Sequence, residues 1–136
     1  MRVTIAQINT TNGDIAGNTS KIVDAINKAK RQGSDLIVFP EIATHGYTSQ
    51  DWFQDADIIA AAGEAVGEIV TSTAGITAIV GTIRANEDKD GRRLFNSAAV
   101  MSEGKLLGYA DKSLLPEYDV FDDPRYFEPS DHRSVF

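Results

Sequence analysis

The sequence predicts an α/β domain that opens with a parallel β-α-β unit and continues through hairpin-joined strands. Three observations carry this. Leu36 to Phe39 is an unbroken apolar run between Gly33 and Pro40, short enough for a strand buried on both faces. The segment before it places Ile22, Ala25, Ile26 and Ala29 at i, i+3, i+4 and i+7, the stripe of an amphipathic helix. Three later segments of strand length, Ile76–Ile83, Leu94–Met101 and Lys105–Ala110, are separated by turn residues. At 136 residues the chain supports one modest core, hence one domain over 1–136.

The elements follow in order. Residues 2–9 alternate apolar and polar with Val3 and Ile5 on one face, a first strand. Asn12-Gly13-Asp14 is turn chemistry, and Asn18 is read as the N-cap of a helix running to about Gln32. Gly33 sits where a glycine closes a helix. The Leu36–Phe39 strand stops at Pro40, which has no N–H for a ladder bond. Residues 42–54 read as a loop whose Trp52-Phe53 pair anchors it to the core. A second helix spans about 55–73, with Gly63 and Gly67 offering room for close packing. Glu87 to Gly91 is a charged hairpin tip, Ser102-Glu103-Gly104 a tight turn, and 116–129 an aromatic- and acid-rich loop. Asp119, Asp122 and Asp123 lack the spacing of a calcium loop, and His45 and His132 have no partner at ligand spacing. No metal site is expected.

Glu41 follows the buried strand directly. A carboxylate there lies at the carboxyl rim of a parallel pair, where open α/β sheets place their chemistry. From the residues alone two readings stand: a solvated turn, or a general base. The fifth strand delivers Lys112 at its end in the same manner, so two strands end in candidate groups for one shared site.

Phe39-Pro40-Glu41, then Gly46-Tyr47 and Asp51, resembles the first signature of the nitrilase superfamily of carbon–nitrogen hydrolases. Asp111-Lys112-Ser113-Leu114-Leu115-Pro116-Glu117-Tyr118 resembles its second, in the right order and spacing. The resemblance implies an α-β-β-α sandwich, of which this chain is the N-terminal portion. It also implies a Cys-Glu-Lys triad with Glu41 as base and Lys112 as oxyanion partner. The stretch Leu115 to Phe127 is similar to the Leu-Pro-Asn-Tyr-x-Val-Phe-Asp-Glu-x-Arg-Tyr-Phe segment of glutamine-dependent NAD synthetases, with Glu117 for Asn and Asp123 for Glu. By that resemblance Tyr118 lies in a glutamine pocket. The hydrolysed amide then supplies ammonia to an ATP- and Mg-dependent synthetase domain, and the enzyme is a homo-oligomer.

The chain contains no cysteine, and it also lacks the Ser-Gly-Gly-x-Asp-Ser loop of the synthetase domain. The expectation is therefore a fragment ending before its nucleophile, inactive alone and without cofactor in this segment. Two alternatives are a stand-alone amidase of the same superfamily and a non-catalytic binding module. A net charge of −7 and a pI near 4.7 argue against nucleic acid or an anionic membrane as partner. The N-terminus has no signal-peptide pattern, and a cytoplasmic location is expected.

Overall fold

The computed structural model describes residues 1–47, 50–87 and 90–136. Thr48 and Ser49 of the expected 42–54 loop, and Asp88 and Lys89 of the expected hairpin tip, lie outside the described residues. The elements are β1 (Val3–Ile5), α1 (Ile15–Arg31), β2 (Leu36–Val38), a 3-10 turn (Gln50–Gln54), α2 (Ala56–Thr71), β3 (Thr77–Ala85), β4 (Leu94–Ser102), β5 (Lys105–Asp111) and the short α3 (Asp123–Tyr126). The strands form one sheet in the order β1-β2-β3-β4-β5. β1, β2 and β3 are parallel, and β4 and β5 add antiparallel neighbours. β5 therefore runs in the direction of β2, and their carboxyl ends share one edge of the sheet.

One face of the sheet is the core. Ile22 and Ile26 of α1 and Val66 and Ile69 of α2 pack on Ile37, Ala78, Val80, Ala99 and Met101 from three adjacent strands. Ile22, Ile26, Ile37 and Ile69 are fully buried, each contributing roughly 1.5–3 kcal/mol by burial. On the other face Val3 and Ile5 of β1 stand 46% and 81% exposed. One helix layer on one sheet, with an apolar outer sheet face, is half of an α-β-β-α sandwich.

Four expectations are corrected. The α1 N-cap is Asp14, whose carboxylate accepts from Gly17 N at 2.9 Å. Asn18 lies inside the helix, fully buried, and joins two loops: its amide accepts from Thr11 N and donates to Thr11 O, both at 2.8 Å, and donates to Thr44 O at 3.2 Å. Gly63 and Gly67 pack against nothing, for no atom lies within 4 Å of where a Cβ would stand. The aromatic pair divides: Phe53 is buried in a second cluster with Ile42, Ile83, Leu94 and Phe127, while Trp52 is 56% exposed. The Trp52 ring instead covers Gly13, which holds φ +77. Within the expected 116–129 loop, Pro124 at a helix start supports the single turn α3.

No helix among the described residues is long and apolar enough to cross a membrane.

Candidate active site

Glu41 and Lys112 meet. Lys112 Nζ lies 2.8 Å from Glu41 Oε1, although they are 71 residues apart in the chain. The strands that deliver them are separated by β3 and β4, three strand spacings or about 14 Å. Two features close that gap.

The first is the corner Pro40-Glu41-Ile42, which leaves the line of β2 and arches over β3. It crosses at Gly81, where a Cβ would overlap the Pro40 carbonyl oxygen and stand 2.5 Å from Ile42 N and 2.7 Å from Glu41 Cα. Ile42 takes φ 49, costly for a β-branched residue and tolerated only where the surroundings enforce it. They do so here. The Ile42 side chain is 1% exposed in the Phe53–Phe127 cluster, and its carbonyl accepts from His45 N at 3.1 Å and Gly46 N at 2.9 Å. Thr44 N then returns to Gly81 O at 3.2 Å. Gly46, at φ +79, seats the end of the loop on the backbone of Thr11 and Asn12.

The second is the end of β5. Lys112 N donates to Asn96 O of β4 at 2.8 Å, and Lys112 O accepts from Ser130 N at 3.1 Å. This leaves the long side chain to reach back across β4. There it is shared: Nζ also lies 2.8 Å from Asp123 Oδ2. Glu41 Oε1 in turn accepts from Asn96 Nδ2 at 2.6 Å. The site is thus a row, Asp123–Lys112–Glu41–Asn96, from α3, β5, the β2 corner and β4. Burial is uneven along it: the side chains of Asp123, Lys112 and Glu41 are 8%, 30% and 45% exposed. Burial alone would lower the Lys112 ammonium, but its bonds to Asp123 and Glu41 outweigh that and hold its pKa above the ordinary lysine value. The cation is permanent at neutral pH. Tyr47 lies within electrostatic reach. Burial, then Asp123 and Glu41, raise its phenol against the opposing pull of Lys112, so it stays protonated.

Tyr118 sits on the loop after β5, 69% exposed, with its ring edge-on to Phe121 at 5.5 Å. It shares with Lys112 a shallow hollow of about 410 Å³ that also includes Leu115 and Pro116. A second hollow, about 200 Å³, opens beside Asp123 between Tyr47, Asp51 and Ile42. Asp51 there is engaged by Arg125 Nη2 at 2.9 Å and by the Tyr126 hydroxyl at 3.0 Å. Among the described residues no group of three or more His, Cys, Asp or Glu is gathered for a metal ion. His132 is exposed, at 3.3 Å from Asp131.

Sequence reasoning paired Glu41 with Lys112 but missed Asn96 and Asp123. In the sequence Asp123 stands as one of three acids without calcium-loop spacing and as the departure from Glu in the NAD-synthetase-like stretch. Its position in the NAD-synthetase-like stretch was a usable signal. For Asn96, which with Ser97 interrupts the apolar run from Leu94 to Val100, the signal is a side chain of the wrong polarity for a buried strand.

His45 is 1% exposed. Its Nδ1 lies 2.7 Å from Thr44 Oγ1, which donates to Thr82 Oγ1 at 2.9 Å, so the ring donates through Nδ1. The Ile58 backbone approaches the ring without forming a full hydrogen bond to Nε2. Burial lowers the imidazole from 6.5 to about 4. The unfolded chain takes up a proton near pH 6.5 while the folded chain does not until about pH 4, so stability declines as pH falls through that window. The full loss is about 3 kcal/mol. Urea unfolding from pH 7.5 to 4 should show this decline, and His45→Gln should flatten it. Equal slopes in the two proteins would refute a buried neutral His45.

The sheet carries α1 and α2 on one face, and a carboxylate and a lysine meet at its rim. The carbon–nitrogen hydrolase family model matches residues 2–136, and the chain belongs to that family. It is 38% identical over 137 residues to a glutamine-dependent NAD(+) synthetase of Thermotoga maritima, covering 99% of this chain and 23% of the relative. It is 35% identical to that of Acinetobacter baylyi, covering 99% and 24%. Among solved structures, glutamine-dependent NAD+ synthetase from Acinetobacter baumannii superposes with a TM-score of 0.90 at 36% identity, over 98% of this chain and 25% of that one. An amidase from Nesterenkonia sp. matches with a TM-score of 0.76 at 22% identity, over 97% and 49%, a likeness of fold. The chain spans about a quarter of the length of the synthetases it matches.

Proposed function

We propose that this chain supplies the base and the oxyanion cation of a glutamine-hydrolysing site in a longer protein, which spends the released ammonia on ATP-dependent NAD synthesis. The observation that carries the reading is the 2.8 Å contact of Lys112 Nζ with Glu41 Oε1 between non-adjacent strands. Its chemistry is acyl transfer. A cysteine thiol from outside these 136 residues gives its proton to Glu41 and adds to the side-chain amide carbon of glutamine. Lys112 faces the oxygen that becomes negative, and Asp123 keeps the ammonium in place as that charge forms. Glu41 returns the proton to the nitrogen, ammonia leaves, and a water deprotonated by Glu41 releases glutamate from the thioester. Tyr118 lines the approach to Lys112 as part of the glutamine pocket. A homo-oligomer in the cytoplasm belongs to the same reading.

The test uses the longer protein that carries this chain. Glu41→Gln and Lys112→Ala should each lower glutamine hydrolysis by at least about 100-fold while leaving ammonia-fed NAD synthesis within twofold. Retained glutamine turnover in either variant would overturn the assignment. Hydrolysis of other small amides in preference to glutamine would leave the site assignment intact and move the substrate to that of a simple amidase.

A further inference from the structure

We infer that Asn96 is a positioning residue for Glu41, fixing Oε1 so that Oε2 is the oxygen that exchanges protons with the nucleophile. The inference rests on the reading of Glu41 as the base.

The two carboxylate oxygens of Glu41 are not equivalent. Oε1 accepts from Asn96 Nδ2 at 2.6 Å and from Lys112 Nζ at 2.8 Å. Among the described residues no hydrogen bond reaches Oε2. An oxygen holding an ammonium and an amide N–H is a poor proton acceptor, because a proton arriving there must displace one of them. The chemistry therefore goes to Oε2, and whatever orients Oε1 aims Oε2.

Lys112 alone cannot supply that orientation. Its side chain is flexible, and half its attention belongs to Asp123. Asn96 differs on each count. It is 5% exposed, with a short side chain on a strand paired on both sides. The identity of its facing atom is not ambiguous: only the NH₂ edge can meet a carboxylate oxygen. Its carbonyl accepts from Lys112 N at 2.8 Å, so one residue sets the origin of the lysine through its backbone and the aim of the glutamate through its side chain. Glu41 needs such a partner because its side chain is 45% exposed and projects from a corner, not from a strand. Without the Asn96 amide, rotation about the terminal carboxylate bond would exchange the two oxygens freely.

The experiment again uses the longer protein carrying this chain, with Asn96→Ala and the isosteric Asn96→Asp. Losing a charge-assisted hydrogen bond to a base should lower kcat for glutamine hydrolysis about ten- to a hundredfold, with KM and ammonia-fed synthesis within twofold. Asn96→Asp should lose at least as much as Asn96→Ala, since it sets a second carboxylate against Glu41. A kcat within twofold of the parent in either variant overturns the proposal, as does a parallel fall in ammonia-fed synthesis, which marks a purely structural role. A third readout leaves Asn96 in place: in Glu41→Gln the side-chain N–H resonance of Asn96 should shift upfield as the charged acceptor becomes neutral. An unmoved resonance also overturns the proposal. Retained glutamine turnover in Glu41→Gln would instead remove the reading of Glu41 as base.

Discussion

Gly81→Ala is expected to destabilise the fold by about 3 kcal/mol and to separate Glu41 from Lys112. The mechanism is contact, not backbone strain, since Gly81 is an ordinary strand residue paired with Ala98. The added methyl group would overlap the Pro40 carbonyl oxygen and press on Ile42 N and Glu41 Cα. All three are backbone atoms, so no side-chain rotation relieves the clash. The corner is also held from above, by the buried Ile42 side chain and by two amide bonds to its carbonyl. The corner must lift away, and Glu41 lifts with it. Urea unfolding measures the stability, and the spread between Glu41 and Lys112 is read from a crystal structure of the variant. A stable Gly81→Ala protein with the 2.8 Å contact intact would show that the corner does not depend on bare backbone beneath it.

That dependence also marks the limit of what the residues disclose. The strands, the two long helices and the meeting of Glu41 with Lys112 were legible because they depend on local pattern or on motif spacing. Leu36 to Phe39 announces a buried strand by composition, and Pro40 announces its end. The helix stripe of α1 is visible at i, i+3, i+4 and i+7. Its start was misplaced because both Asp14 and Asn18 are capping types, and only tertiary contact decides between them. Asn18 is claimed by Thr11 and Thr44, from loops that a linear reading does not bring together. Gly81 was invisible for the same reason. A glycine in a strand signals a close approach but not what approaches. Gly63 and Gly67 gave the same signal and meet nothing.

Asn96 and Asp123 sharpen the point. Each is a polar residue whose role exists only once four elements converge on one rim. The pairing of β3 with β4 brings Asn96 under Glu41, and the turn of α3 brings Asp123 to Lys112. The family resemblance could nominate the two charged groups at strand ends because each sits beside a recognisable break in the chain. It could not show that, among the described residues, the hydrogen bonds to Glu41 fall on Oε1. The motifs bring the two charged groups to this rim, but the geometry they take up there is set by residues between the motifs.

Lys112 is expected to matter for stability as well as for chemistry, and unequally for its two partners. Lys112→Met keeps the aliphatic length of the side chain and removes the cation. Glu41, with its side chain 45% exposed, regains water and loses little. Asp123, 8% exposed, cannot, and is left as a buried carboxylate without its counter-ion. Removing one partner of a well-buried pair costs about 3–5 kcal/mol. Because Lys112 is itself 30% exposed, about 2–3 kcal/mol is expected here. Asp123→Asn placed in the Lys112→Met protein removes the stranded charge and should recover most of that loss, whereas Glu41→Gln in the same background should recover almost none. Urea unfolding of the parent, the three single variants and the two double variants gives both coupling energies. A large coupling to Asp123 and a small one to Glu41 means that the buried aspartate fixes the ammonium, leaving the exposed glutamate free to take and return protons. Equal couplings would mean that Lys112 is held as tightly by Glu41 as by Asp123, and the division of labour between anchor and base would not stand.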